Sequence, residues 1–157
     1  MYGLILSLQF AASLILAMVA GSTFGIWRGY NPTTYSAATF VEMHQGAVGG
    51  LNVLLPGMAL AAMLCTIALA WLAYGRGPAF QLYAGALVFM VAAGIVTRFL
   101  NQPINAIVMT WTVETLPANW AQIRDTWWTW HLVRTGTSVL AMAFLLAAVI
   151  VNKPVLK

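Results

Sequence analysis

At 157 residues, 62% hydrophobic and 6% charged, with a mean hydropathy of +0.86, the chain has the composition of an integral membrane protein and no room for a second domain. Its formal charge of +4 comes from seven Lys and Arg against three acids, and the basic residues are scattered, which argues against nucleic acid as a partner. The single Cys65 lies in an apolar run, so there is no disulfide framework and no CxxC pair, and a small buried hydrophobe is its expected role.

Four apolar runs reach the roughly 20 residues that cross a bilayer as helix. The first, Leu4–Phe24, lacks a basic leader and a small-x-small cleavage site, which predicts a retained helix over residues 4–26. The second, Gly46–Tyr74, carries Pro56-Gly57 as an expected kink. Its helical pattern reaches back through Ser36–Gln45 to a start signal at Asn31-Pro32, so the predicted helix covers 36–74. A tight Gly75-Arg76-Gly77-Pro78 turn follows, with Pro78 suited to the first helical position. The third run, Ala79–Val96, continues with helical period to Trp111 despite Pro103, giving a helix over 78–111. The fourth, Val133–Val151, is fed by a helix starting near Pro117, giving 117–152.

These elements predict an all-α integral membrane fold, a single transmembrane domain over residues 1–157: a four-helix transmembrane bundle with helices 2, 3 and 4 extended into a cap on one side. A helix from Ser36 to Tyr74 is roughly 57 Å long, against a hydrocarbon core of about 30 Å. Gly21-x3-Gly25 and Gly46-x3-Gly50 permit close helix packing. Trp27, Trp71 and Tyr74 suit interfacial anchoring.

Arg98, Arg124, Asp125, His131 and Arg134 fall in or beside two polar stretches, Thr97–Asn105 and Trp127–Thr135. Holding such groups near lipid costs free energy unless they face a bundle interior, a water pocket or a partner, so a functional site is the default reading. Measured along straight helices from the side of the short turn, Asn52, Arg98 and His131 stand roughly 33, 30 and 31 Å up. His44, Asn105 and the Arg124-Asp125 pair form a second layer at about 45, 40 and 41 Å. On that geometry His44 and His131 differ by about 14 Å in height, which disfavours a two-histidine metal site.

The faces agree with the depths. Arg98, Asn101, Gln102 and Asn105 follow i, i+3, i+4, i+7 spacing and form one stripe of a regular helix. Arg124, Trp127, Trp128, His131, Arg134, Thr135 and Ser138 form a second stripe, and Glu42, Gln45, Gly49, Asn52 and Pro56 a third. Three polar stripes at matched depth imply a shared pocket; the alternative is a structural network in which Arg and Asn satisfy one another. His131, amid tryptophans, is a candidate base or else a satisfied boundary histidine. His44 has the same two readings. Glu42 and Asp125 are expected as ion-pair partners of Arg98, Arg124 or Arg134.

The pattern Arg98-Phe99-x-Asn101-Gln102-Pro103-Ile104-Asn105, Trp111, then Pro117-x2-Trp120-x3-Arg124-Asp125-x-Trp127-x3-His131-x2-Arg134-Thr135 resembles that of the anthrone-oxygenase-like membrane proteins. These are small four-helix proteins, many described only as a domain of unknown function. Phe40-x3-His44-Gln45 and Asn52 extend the likeness along the chain. The resemblance implies an oxidoreductase, a monooxygenase that oxidises a lipophilic anthrone-like ring to a quinone with dioxygen. It implies His131 as base, with Arg98 and Arg134 stabilising the oxyanion. Asn52, Asn101, Gln102, Asn105 and His44 would bind substrate oxygens, with Trp127 and Trp128 against the rings. The implied cofactor is none beyond dioxygen and no metal. Other classes stay open: a haem or metal redox protein using His44 or His131 singly, a small transporter or channel, and a non-catalytic accessory or small-molecule-binding protein.

Expected partners are a lipophilic small molecule and the lipid bilayer, with self-association open. Arg76, Lys153 and Lys157 lie on the short-turn side, and Arg28, Arg98, Arg124 and Arg134 on the capped side. With the last three packed in the site, the balance favours both termini in the cytoplasm and the cap outside. The expected location is a bacterial inner membrane.

Overall fold

The structure, a computed structural model, describes residues 1–152. Lys153 and Lys157, which weigh in the charge comparison above, lie outside the described residues. Six α-helices follow in order: α1 (Tyr2–Gly29), α2 (Ala37–Leu51), α3 (Leu54–Leu72), α4 (Pro78–Ile95), α5 (Gln102–Val108) and α6 (Trp120–Val151). A 3-10 turn lies at Pro32–Thr34 and a π-helical turn at Val96–Asn101. They assemble into four rods, Tyr2–Thr34, Ala37–Leu72, Pro78–Val108 and Trp120–Val151, each long and apolar enough to cross a membrane. At about 1.5 Å per residue, the shortest exceeds a ~30 Å hydrocarbon core by roughly half.

Prolines shape two of the rods. Pro56 has no backbone N–H, so the carbonyl of Asn52 loses its i+4 partner, and the second rod breaks at Asn52–Val53. The kink expected at Pro56-Gly57 therefore opens four residues earlier, at the carbonyl that the proline deprives. Gln102 Nε2 donates to that freed Asn52 oxygen at 3.5 Å. In the third rod Pro103 follows a widened turn in which the Gln102 N–H donates to the Thr97 carbonyl, five residues back. The regular helix expected through 78–111 thus contains a π turn, a feature that recurs at functional sites, and ends at Val108. Elsewhere Ser36 Oγ accepts from the Thr39 N–H and caps α2. Gly75 and Gly77 take φ of 78° and 55°, which lets the chain reverse into Pro78 at the start of α4.

The rods pack as a closed ring, α1 against α3 and α6, and α4 against α3 and α6. Ala12, Ala62, Ala86, Ala141 and Ala148 are fully buried between them, and small residues of this kind let backbones approach without a hydrophobic drive from lipid. Closest is α4 on α6, where a Cβ added to Gly85 would lie 2.5 Å from the Phe144 ring. The two Gly-x3-Gly pairs do not serve this purpose within the chain: nothing lies within 4 Å of a Cβ built at Gly21, Gly25, Gly46 or Gly50.

Above the ring, α2 and α5 form the cap around Phe40, Val41, Val108 and Trp111. Gln45 Nε2 donates to the carbonyls of Val108 (3.0 Å) and Trp111 (2.9 Å) and so ties α2 to the end of α5, where the Val108 oxygen also accepts from the Trp111 N–H at 3.1 Å. The Arg124 guanidinium lies 4.9 Å from the Trp120 ring and closes the cap from the α6 side. Because α2 leans on α5 rather than on α1 or α6, a space remains beneath it.

Candidate active site

That space is a cavity of about 720 Å³, within the roughly 300–1,000 Å³ of small-molecule sites. All four rods line it. Leu16, Val19, Met63 and Met90 make an apolar wall, while His44, Asn52, Arg98, Gln102, Asn105, Trp127 and Arg134 bring polar groups to it. Met43 and Leu60 also line it and are half exposed, so the cavity reaches the outer surface of the bundle. Leu60 stands about 18 Å of helix from the end of α3, which is hydrocarbon depth.

Asn105 organises the polar side. Trp127 Nε1, which can only donate, gives its hydrogen to Asn105 Oδ1 at 2.7 Å and so fixes which way the amide points. Asn105 Nδ2 then donates to Asn52 Oδ1 at 2.9 Å. His44 Nε2 lies 3.2 Å from the same Asn105 Oδ1. Since that oxygen accepts, the hydrogen of neutral His44 sits on Nε2, and Nδ1 carries the lone pair. His44 Nδ1 is buried and has no hydrogen-bond partner. The ring is held edge-on against Trp127 (centroids 4.7 Å, 77°) and packed on Phe40 at 5.1 Å. At the rim, Arg98 Nη1 donates to Gln102 Oε1 at 3.3 Å.

His131 has a different environment. An arginine cannot accept, so the 2.7 Å contact from Arg134 Nη2 makes His131 Nδ1 the acceptor. Nε2 then carries the hydrogen and donates to the Thr23 carbonyl on α1 at 3.1 Å. Both nitrogens are engaged, the ring is fully buried, and it lies behind the cavity wall. It stacks on Trp127 (5.1 Å, 9°) and Trp128 (5.4 Å, 15°). Arg134 does line the cavity, with its Nε buried and unpartnered.

Of the residues singled out from the sequence, Asn52, Arg98, Gln102, Asn105, Trp127, Arg134 and His44 meet at the cavity. Asn101, Trp128 and His131 stand behind its wall. The π turn directs Asn101 toward α6, where its Nδ2 donates to the Trp127 carbonyl at 3.1 Å. Trp128 is occupied by His131 rather than open to a ligand ring. The 14 Å height difference drawn from straight helices is corrected: both imidazoles touch Trp127, so a single indole separates them. Straight-rod geometry takes no account of the break between α2 and α3 at Asn52–Val53. Among the described residues the ion pair is Arg124–Asp125 at 2.9 Å; Glu42 lines the cavity and pairs with no arginine. Tyr30 also lines it, and the sequence reading passed over this residue. Its position directly before the Asn31-Pro32 helix stop was the available signal.

A family profile described as anthrone oxygenase matches residues 45–144. Neither the comparison with curated proteins nor that with solved structures finds a match. The matched segment runs from Gln45 under the cap, through the broken α2–α3 wall and the π turn, to the Trp127–Arg134 face and beyond. Covering well over half of the chain and most of the cavity's polar side, that match makes the chain a member of the anthrone oxygenase family.

Proposed function

We propose that this protein is a membrane oxidoreductase that takes a lipophilic, anthrone-like aromatic from the bilayer and oxidises it with dioxygen to the quinone. The observation that carries the reading is His44 Nδ1, a buried, unpartnered lone pair on an imidazole whose tautomer is set by Asn105. An apolar cavity with a few convergent polar groups and a mouth at hydrocarbon depth suits a flat, greasy substrate.

In this reading His44, not His131, is the base, because His131 has no free lone pair. His44 Nδ1 accepts a proton from the acidic ring methylene, and Asn105 Oδ1 holds the Nε2–H of the resulting imidazolium. The negative charge moves onto the ring oxygen, where Arg134 and, at the rim, Arg98 stabilise it. The electron-rich enolate reacts with dioxygen directly. One oxygen atom becomes the new carbonyl; the other leaves as water with the two methylene hydrogens. Asn52 and Gln102 are polar contacts for substrate oxygens, and no cofactor beyond dioxygen enters the scheme. His131 serves to hold Arg134. Orientation with both termini cytoplasmic belongs to the same proposal.

The test is purified protein in detergent with anthrone under isotopically labelled dioxygen. Anthraquinone carrying one labelled oxygen, formed faster than in detergent alone and unaffected by a chelator, is the expected result. Conversion at the background rate would overturn the proposal.

A further inference from the structure

Tyr30 lines the cavity and has no part in the proposed reaction. At the end of α1 its N–H still donates to the Ile26 carbonyl at 2.9 Å, but its own φ and ψ of −134° and 89° leave the helix. Asn31 turns the chain next, with Oδ1 accepting from the Thr33 N–H and hydroxyl at 3.2 and 2.7 Å. This reversal holds the Tyr30 ring inward, edge-on between Tyr35 (5.4 Å) and Trp127 (6.2 Å). The side chain lines the cavity, the residue is 7% exposed, and its hydroxyl is buried without a partner.

A phenol O–H left unpaired in an apolar interior is costly, so such a group calls for an occupant. The same holds for Arg134 Nε, the other buried donor of the cavity without a partner. Arg134 is anchored through Nη2 to His131, which is anchored to the Thr23 carbonyl of α1, about two helix turns from Tyr30. A ligand oxygen that reaches the Tyr30 hydroxyl satisfies it.

We propose that Tyr30 is a substrate-binding residue whose hydroxyl donates to the keto or enolate oxygen of the ring substrate. This rests on the cavity being the substrate site. It gives α1, which lies outside the matched residues 45–144, a direct part in recognition. It also makes the site select for an oxygen on the ring rather than for ring size alone.

Tyr30→Phe keeps the ring and its two edge contacts, so the fold is retained. Binding is read by quenching of tryptophan fluorescence with two probes, anthraquinone and anthracene, which share a shape but differ in the carbonyl oxygens. Anthraquinone should bind Tyr30→Phe roughly tenfold more weakly than the parent, the scale of one lost hydrogen bond, while anthracene binds both alike. With anthrone as substrate, kcat should fall by about 10²-fold, as for removal of one oxyanion donor. Equal weakening for both probes would show a packing role only and overturn the proposal. Unchanged anthraquinone binding and turnover would overturn it too, while leaving the cavity assignment intact. Failure of the parent protein to bind either probe would remove the cavity assignment, and Tyr30 with it.

Discussion

Asn105→Leu offers the most informative perturbation of the polar wall. Leucine fills much of the same volume but accepts nothing. It leaves Trp127 Nε1–H and His44 Nε2–H without their shared acceptor, and Asn52 Oδ1 without its donor. Two buried donors orphaned at about 1–3 kcal/mol each are a large share of a total stability of about 5–15 kcal/mol. SDS-unfolding curves should therefore show Asn105→Leu weakened by roughly 2–5 kcal/mol. Trp127→Phe removes one of the two donors in advance, so the double variant should lose about 1–2 kcal/mol less than the two single losses together. Oxidation of anthrone should fall by about 10²-fold, because His44 loses the acceptor that keeps its lone pair on Nδ1. Additive losses, or an Asn105→Leu protein as stable as the parent, would refute the shared-acceptor argument.

Other outcomes follow from the packing. Gly85→Val sets its side chain into the Phe144 ring and should cost about 1–3 kcal/mol, with recovery on adding Phe144→Leu; equal unfolding midpoints for parent and Gly85→Val would contradict the close approach of α4 and α6. Gln45→Leu removes the side-chain donor from the carbonyls of Val108 and Trp111, so amide hydrogen exchange at the end of α5 should quicken while the lower bundle stays protected.

The membrane fold was legible because lipid permits few answers. Runs such as Ala79–Val96 with almost no charge have no stable alternative to a spanning helix. The convergence of Arg98, Gln102, Asn105 and Arg134 was legible for the same reason, since none of them belongs against hydrocarbon. What the pattern did not reveal was local backbone geometry. Pro56 and Pro103 were visible, but the break that one opens at Asn52 and the π turn that precedes the other depend on which neighbours accept the freed carbonyls. Those two distortions decide that Asn101 faces α6 and that His44 comes down to the level of Trp127. The roles of the two histidines were likewise hidden, because they depend on what occupies each ring nitrogen. The sequence places His131 beside three tryptophans and Arg134; only the bond from Arg134 to Nδ1 reveals that its lone pair is taken.

The most direct test of the central claim compares His44→Gln with His131→Gln in oxygen uptake with anthrone, at matched folded fraction. His44→Gln should lose about 10²-fold or more in rate while still binding anthraquinone, as removal of a general base does. His131→Gln should weaken anthraquinone binding through a loosened Arg134 and keep more of the catalytic rate. Full activity in His44→Gln beside a dead His131→Gln would contradict the account.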